Sequence, residues 1–143
     1  MDSTPSMQQT LVLVINGGTL SVSPGSASVV LHRNGNGHLV GRFGPITVVD
    51  ARGSLAGWKL TASLAVPESG HLTVHPGAAV AVTGRPGEAV ASRAGSLTTE
   101  GTVIMTAAPD GGGGDFSISG SVDVQSNARA GDSLTVPLNF TVS

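Results

Sequence analysis

Apolar and polar residues alternate along much of the chain, and the clearest instance is Trp58–Val66. Every second residue there is apolar, which places the apolar side chains on one face of an extended strand. The same period recurs in Asp115–Val124 and in Ser133–Val142. Pro137 cannot donate a backbone hydrogen bond, so we expect the last strand to be an edge strand or to pair weakly on one side. These patterns predict half-buried strands of an antiparallel sheet.

Turn-forming residues separate the short extended stretches, as in Asn16–Gly18, Asn34–Gly37 and Pro109–Gly114. No stretch of about ten residues keeps a helical period without a glycine or proline. The chain is therefore predicted to be all-β, a single antiparallel β-sandwich (Ig-like or jelly-roll-like) of roughly ten to twelve short strands. The polar residues 1–9 are predicted to form a flexible N-terminal arm, and residues 10–143 the single sandwich domain.

Composition narrows the classes of function. Seven basic and nine acidic residues give a net charge of −2 without a basic stripe, which argues against nucleic-acid binding. The chain has no cysteine, so it has no disulfide and no thiolate site. Its longest aliphatic run, Leu11–Ile15, is far shorter than the ~20 residues of a membrane span.

The sequence gives only weak evidence for a catalytic or metal site. His71 and His75 would lie roughly 13 Å apart on a strand, too far to share an ion. His32 and His38 flank a turn, and we interpret them as solvated. Asp110 followed by four glycines is a single acidic stretch without the repeated ligands of a calcium loop, so it predicts a flexible hairpin loop. We therefore expect no enzyme activity, no cofactor and no metal site.

One segment carries a specific resemblance. A predicted strand ends in Asp50-Ala51-Arg52-Gly53, and the next opens with Gly57-Trp58-Lys59-Leu60. This arrangement resembles the proximal motif of the WxL-type surface domains of Gram-positive bacteria. The closing strand is similar to that family's last strand, with Phe140-Thr141-Val142 at the position of its second Trp-x-Leu. The composition, with Lys59 as the single lysine, resembles a divergent member from a high-GC, actinobacterial-like organism.

The residues of the motif leave structural and binding roles open. Trp58 can bury the largest apolar area in the chain, and a binding role would require its indole to be solvent-accessible. Asp50 and Arg52 can form a bidentate pair, or each can bond backbone groups. Phe140 is predicted to lie in the core. The candidate motif or binding residues are Asp50, Arg52, Gly53, Trp58, Leu60 and Phe140.

The resemblance implies a non-catalytic extracellular module that attaches to or builds the bacterial cell envelope. Its partners would be a cell-wall polymer or other surface proteins, and its signal peptide would be removed or lie outside this sequence. The alternative is a self-assembling, fibre- or pilus-like subunit joined by strand addition from the N-terminal segment. The candidate assembly strand consists of Thr10, Leu11, Val12, Leu13, Val14 and Ile15. A weaker alternative is a carbohydrate-binding module, for which the chain has few aromatic residues.

Overall fold

The computed structural model describes residues 18–35, 37–68, 70–125 and 133–143. The predicted arm at residues 1–9 and the candidate assembly strand Thr10–Ile15 lie outside these residues. The described part contains eleven strands. They are β1 (Leu20–Ser23), β2 (Ser26–Arg33), β3 (His38–Asp50), β4 (Trp58–Leu64), β5 (Leu72–Pro76), β6 (Val80–Ala81), β7 (Ala89–Ala91), β8 (Gly95–Leu97), β9 (Thr102–Ala107), β10 (Gly114–Gln125) and β11 (Ser133–Val142).

All the strand pairs are antiparallel and belong to one hydrogen-bonded sheet, in the order β7-β9-β4-β11-β2-β3-β10-β5-β8. In addition, β1 pairs with β3, and β6 pairs with β10. The prediction of an all-β antiparallel fold is confirmed. The hydrogen bonding shows one continuous sheet curled into a half-barrel, and not two separately bonded sheets.

The alternation seen in the sequence becomes the burial pattern of the long strands. In β4 the side chains of Trp58, Leu60, Ala62 and Leu64 are buried, and those between them face outward. The last strand has the predicted bounds, but it lies inside the sheet between β2 and β4. Pro137 is accommodated because the ladder with β4 begins only at Leu138, the next residue.

The curl of the sheet brings distant strands together around one core. The ring centroids of Trp58 on β4 and Phe116 on β10 are 5.9 Å apart, although three strands separate β4 from β10 in the sheet. At the far end, the amide of Leu64 donates to the carbonyl of Thr98 (2.8 Å), directly after β8. The two outermost strands, β7 and β8, are joined by residues 92–94 alone. The ends of the sheet are therefore close neighbours in space.

The chain continues through Gly44 and Pro45 as part of β3. The register between β3 and β10 shifts there, between Ile118 and Gly120. Before the shift β3 borders β2, and after it β3 borders β1. Such a bulge bends a strand without ending it, and it lets β3 follow the curl of the sheet.

Apolar side chains from most strands form one continuous core, and the long strands contribute the largest of them. The tryptophan and all three phenylalanines of the chain are buried in this core. Asp50 is the one charged side chain among the described residues that is buried. No helix in the described ranges is long and apolar enough to cross a membrane.

Candidate functional site

Three connections meet at one end of the curled sheet, which we call the loop end: residues 51–57, 82–88 and 108–113. They join β3 to β4, β6 to β7 and β9 to β10. Cross-strand register places them at the same end, because Asp50 pairs with Gly114 and Trp58 pairs with Ala107. The segment that carries the family resemblance forms the first of these loops.

An ion pair with two hydrogen bonds holds the first loop. Nε of Arg52 donates to Oδ1 of Asp50 at 2.9 Å, and Nη2 donates to Oδ2 at 3.1 Å. The backbone amide of Arg52 also donates to Oδ1 at 3.1 Å. The predicted bidentate pair therefore forms, and the carboxylate bonds a backbone group as well. Such charge-assisted, fork-shaped pairing restricts the orientation of both side chains.

The electrostatics of the pair follow from this geometry. The side-chain hydrogen bond from Arg52 lowers the pKa of Asp50, and this effect outweighs desolvation of the buried carboxylate, which acts in the opposite direction. The same hydrogen bond raises the pKa of Arg52. Both groups are consequently held in their charged forms.

Arg52 also ties the loop to the start of β4. Its Nη2 donates to the carbonyl of Gly57 at 2.9 Å. Gly53 lies between these anchors with a φ of 76°, in the left-handed region that favours glycine. A Cβ at Gly53 would meet no atom within 4 Å, so its role is backbone geometry and not close packing. The loop is thus a clamped turn from Asp50 to Gly57.

Trp58 supports the loop end from the inside. Its side chain is only 3% exposed, and its Nε1 donates to the carbonyl of Gly112 at 2.9 Å. Gly112 also donates its backbone amide to Oε1 of Glu88 at 3.1 Å. A further backbone bond joins the loops, from the amide of Asp110 to the carbonyl of Leu55 at 2.7 Å. The indole is therefore inaccessible to a ligand and instead braces the loop 108–113, which in turn bonds the other two loops.

Leu60 and Phe140, the other two candidate residues, lie in the core away from the loop end. Leu60 is completely buried, and Phe140 is 2% exposed. Phe140 pairs with Ala62 across the ladder, four residues along β4 from Trp58, or about 13 Å. Its ring contacts Phe43 at a centroid distance of 5.7 Å. The predicted core role of Phe140 agrees with this position, and the structure does not place it beside Trp58.

Sequence reasoning missed the part that the glycine-rich segment plays. It predicted a flexible hairpin loop, but β9 and β10 do not pair with each other, so the segment is a crossover connection. Gly111 and Gly112 are buried, and Gly112 contacts both Trp58 and Glu88. The signal available was the run of small residues, which permits close approach of backbone to a large side chain. Glu88, 24 residues earlier, carries no local signal.

Three shallow cavities surround the braced loops on the outside. One, of about 390 Å³, lies beside Glu88, Val90 and Pro109. A second, of about 460 Å³, is lined by Leu55, Arg85 and Glu88 among others, and a third, of about 630 Å³, by Lys59 and the residues around it. The side chains of Leu55 and Val90 are 44% and 62% exposed. The loop end therefore presents fixed grooves of mixed apolar and charged character.

Two carboxylates at this end already have partners within the protein, since Asp50 accepts from Arg52 and Glu88 accepts from Gly112. In the described ranges, no group of three or more histidine and acidic side chains is arranged to hold a metal ion. What the arrangement does chemically is to hold loops in one conformation and to expose their outer sides.

Comparisons with known proteins add little. No protein-family model matches the chain, and no curated protein matches it. Among solved structures, a family two carbohydrate esterase from Cellvibrio japonicus is similar at 10% identity with a TM-score of 0.19. The alignment covers 87% of this chain and 35% of that one, and a similarity this weak carries no argument about fold or activity.

Proposed function

We propose that the chain is a non-catalytic extracellular module that attaches to or builds the bacterial cell envelope, and that it binds through the loop end. One observation carries this proposal: the loops are fixed from within by Asp50–Arg52 and Trp58–Gly112, while their outer sides remain open. Loops that are ordered before binding lose less conformational entropy when a partner binds. A clamped loop end is therefore suited to recognition.

The motif that resembles WxL-type surface domains coincides with this clamp. Asp50, Arg52 and Gly53 shape the first loop, and Trp58 braces the loop 108–113. In the proposal, the curled sheet is a sandwich-like scaffold that presents the loops, and the partner is a cell-wall polymer or another surface protein. The location is the cell surface, as the resemblance implies.

Co-sedimentation with isolated Gram-positive cell walls tests the proposal, with a parallel tube that contains no walls. The test variant replaces two exposed apolar side chains at the loop end, Leu55→Asn and Val90→Asn. Asparagine is chosen because Leu55 has a φ of 52°, which asparagine tolerates. The matched control is Val30→Asn with Val66→Asn, which are 46% and 47% exposed away from the loop end.

The expected result is that the native chain and the control variant pellet only with walls, and that the loop-end variant pellets at least several-fold less. Equal pelleting of both variants would remove the loop end as the binding surface. A native chain that stays soluble in both tubes would contradict wall attachment altogether.

Self-assembly remains the second candidate, and one observation favours it. β7 is a terminal strand of the sheet that pairs only with β9 among the described strands, and its Val90 is 62% exposed. A free edge of this kind can accept an added strand. In this candidate the added strand is Thr10–Ile15 of a neighbouring copy. Pelleting without walls, abolished by deletion of residues 1–15, would support assembly, and filaments that persist in the truncated chain would contradict it.

The carbohydrate-binding alternative loses its usual physical basis. Sugar-binding surfaces commonly use exposed aromatic rings for stacking. The single tryptophan and the three phenylalanines of this chain are all buried, and the chain has no tyrosine. We therefore do not propose an aromatic sugar platform.

A further inference from the structure

The four histidines of the chain lie on one outer face of the sheet, far apart in sequence but close in the fold. Register aligns His32 on β2 with Val40 on β3, Val40 with Asp123 on β10, and Asp123 with Thr73 on β5. His38 and His75 lie two residues from Val40 and Thr73 on the same sides of their strands. Their chain neighbours, such as Leu39 and Val74, point into the core.

Asp123 is at the centre of this group, which we call the histidine face. Its Oδ2 lies 3.3 Å from Nε2 of His75 and 3.9 Å from Nδ1 of His38. His71, directly before β5, has its Nε2 3.4 Å from Oγ of Ser96 on the neighbouring strand β8. The side chains of His38 and His75 are 34% and 46% exposed, so a ligand in solution can reach them.

Among the described residues, few other charges surround the histidines. On the outer side of β3 the permanent charge is Arg42, and on β10 the permanent charges are Asp123 and, eight residues earlier in the strand, Asp115. Arg33, the last residue of β2, pairs with Leu39, whose side chain points into the core, so Arg33 belongs to the other side of the sheet. Glu68 lines the same cavity as His71. With neutral histidines, Arg42 balances the nearby Asp123, and Glu68 adds one negative charge beside His71. Histidine is the side chain whose charge ordinarily changes between pH 5 and 8, and four protonated histidines would add four positive charges to this face.

We propose that the histidine face is an acid-activated binding surface for a linear phosphate polymer. Charge complementarity selects the partner: the face turns strongly positive on a chain whose net charge is −2 with neutral histidines. A phosphate diester stays fully ionised at the pH at which imidazoles are protonated, whereas carboxylates begin to take up protons just below it. The histidines come from β2, β3 and β5, and β10 with Asp123 lies between β3 and β5. At ~4.8 Å per strand they form a row across the sheet that an extended polymer can follow. This surface is distinct from the loop end, so the inference goes beyond the function proposed above.

The test uses the full chain and long-chain inorganic polyphosphate as the probe, with EDTA present so that no metal bridges the two. Binding is measured at about pH 7.5 and about pH 5.5. We expect binding mainly at the lower pH. For each phosphate contact, the logarithm of the binding constant falls by about 0.7 for every tenfold rise in salt concentration. Four contacts therefore predict an affinity loss of about 50-fold between 50 and 200 mM salt.

The decisive variant carries His32→Gln, His38→Gln, His71→Gln and His75→Gln together. It should lose the gain in affinity at low pH, while the outer-face control Thr135→Gln with Thr141→Gln should retain it. Asp123→Asn removes the central negative charge and keeps all four histidines. This variant should bind polyphosphate more tightly than the native chain at both pH values. The emission maximum of Trp58 confirms that each variant is folded.

Three outcomes would overturn the proposal. These are an affinity that does not rise on acidification, a rise that persists in the four-histidine variant, and equally tight binding of poly-γ-glutamate at the lower pH. None of these outcomes bears on wall binding by the loop end, because the histidine substitutions leave the loop end unchanged. Conversely, the Leu55 and Val90 variants leave the histidine face intact.

Discussion

The bracing of the loop end by Trp58 makes a sharp prediction about Gly112. This residue has a φ of 84° and lies against the indole. In Gly112→Ala, the added Cβ would lie 2.5 Å from Cβ of Ala107 and 2.8 Å from Nε1 of Trp58. Gly87→Ala is the matched control, because Gly87 has a φ of 88° but a Cβ there would meet nothing within 4 Å. The pair separates backbone strain from steric overlap.

The magnitudes follow from these contacts. A non-glycine residue in the left-handed region costs about 1–2 kcal/mol, which both variants share. Overpacking against Ala107 and Trp58 adds about 1–3 kcal/mol in Gly112→Ala alone. Displacement of the indole from its hydrogen bond adds about 1 kcal/mol. We therefore expect Gly112→Ala to reduce the free energy of unfolding by at least about 2 kcal/mol more than Gly87→Ala.

Urea unfolding monitored by fluorescence provides the assay, since Trp58 is the single tryptophan and reports on this contact directly. Gly112→Ala should lower the urea midpoint well below that of Gly87→Ala and shift the emission of the folded state toward the red. Equal destabilisation by the two substitutions would refute the argument that Gly112 is required for close packing on Trp58.

Three further predictions concern the ion pair, the indole and the core. Because the pKa of Asp50 is lowered in the folded state, its stabilising effect is present at neutral pH and is lost as the pH falls below about 4. The melting temperature of Asp50→Asn should lie below that of the native chain at neutral pH, and the difference should shrink on acidification; a difference independent of pH would contradict this. The native emission of Trp58 should be blue-shifted and unaffected by iodide, and Trp58→Phe should cost about 1–3 kcal/mol by circular dichroism, because it leaves the carbonyl of Gly112 without its donor. Phe140→Ala should cost about 3–5 kcal/mol, whereas its exposed neighbour Thr141→Ala should change stability by less than about 0.5 kcal/mol; similar costs would show that Phe140 is not a core residue.

Local patterns were sufficient to predict three of the long strands. β4, β10 and β11 were predicted within two residues of their bounds, because strict alternation forces one face of each strand inward. The short strands were harder to define from the sequence. β6, β7 and β8 contain only two or three residues each, so alternation alone does not define their bounds, and each pairs with a longer strand.

The candidate site was also only partly predictable. The Asp50–Arg52 pair joins residues two apart, so its spacing is visible in the sequence. The contacts of Gly112 with Trp58 and Glu88 join residues 54 and 24 positions apart, and no local pattern links them. The grouping of the histidines around Asp123 depends likewise on register between three strands.

The sequence alone determined that this protein is built from antiparallel strands with an apolar face, because side-chain period and turn residues are local properties. Only the tertiary structure decided how the strands are ordered, that the sheet is continuous and curled, and that β9 and β10 are neighbours in sequence but not in the sheet. It also decided that Trp58 faces inward and the histidines outward. The physical reason is that strand pairing depends on contacts between distant segments, each of which could satisfy its hydrogen bonds with several partners.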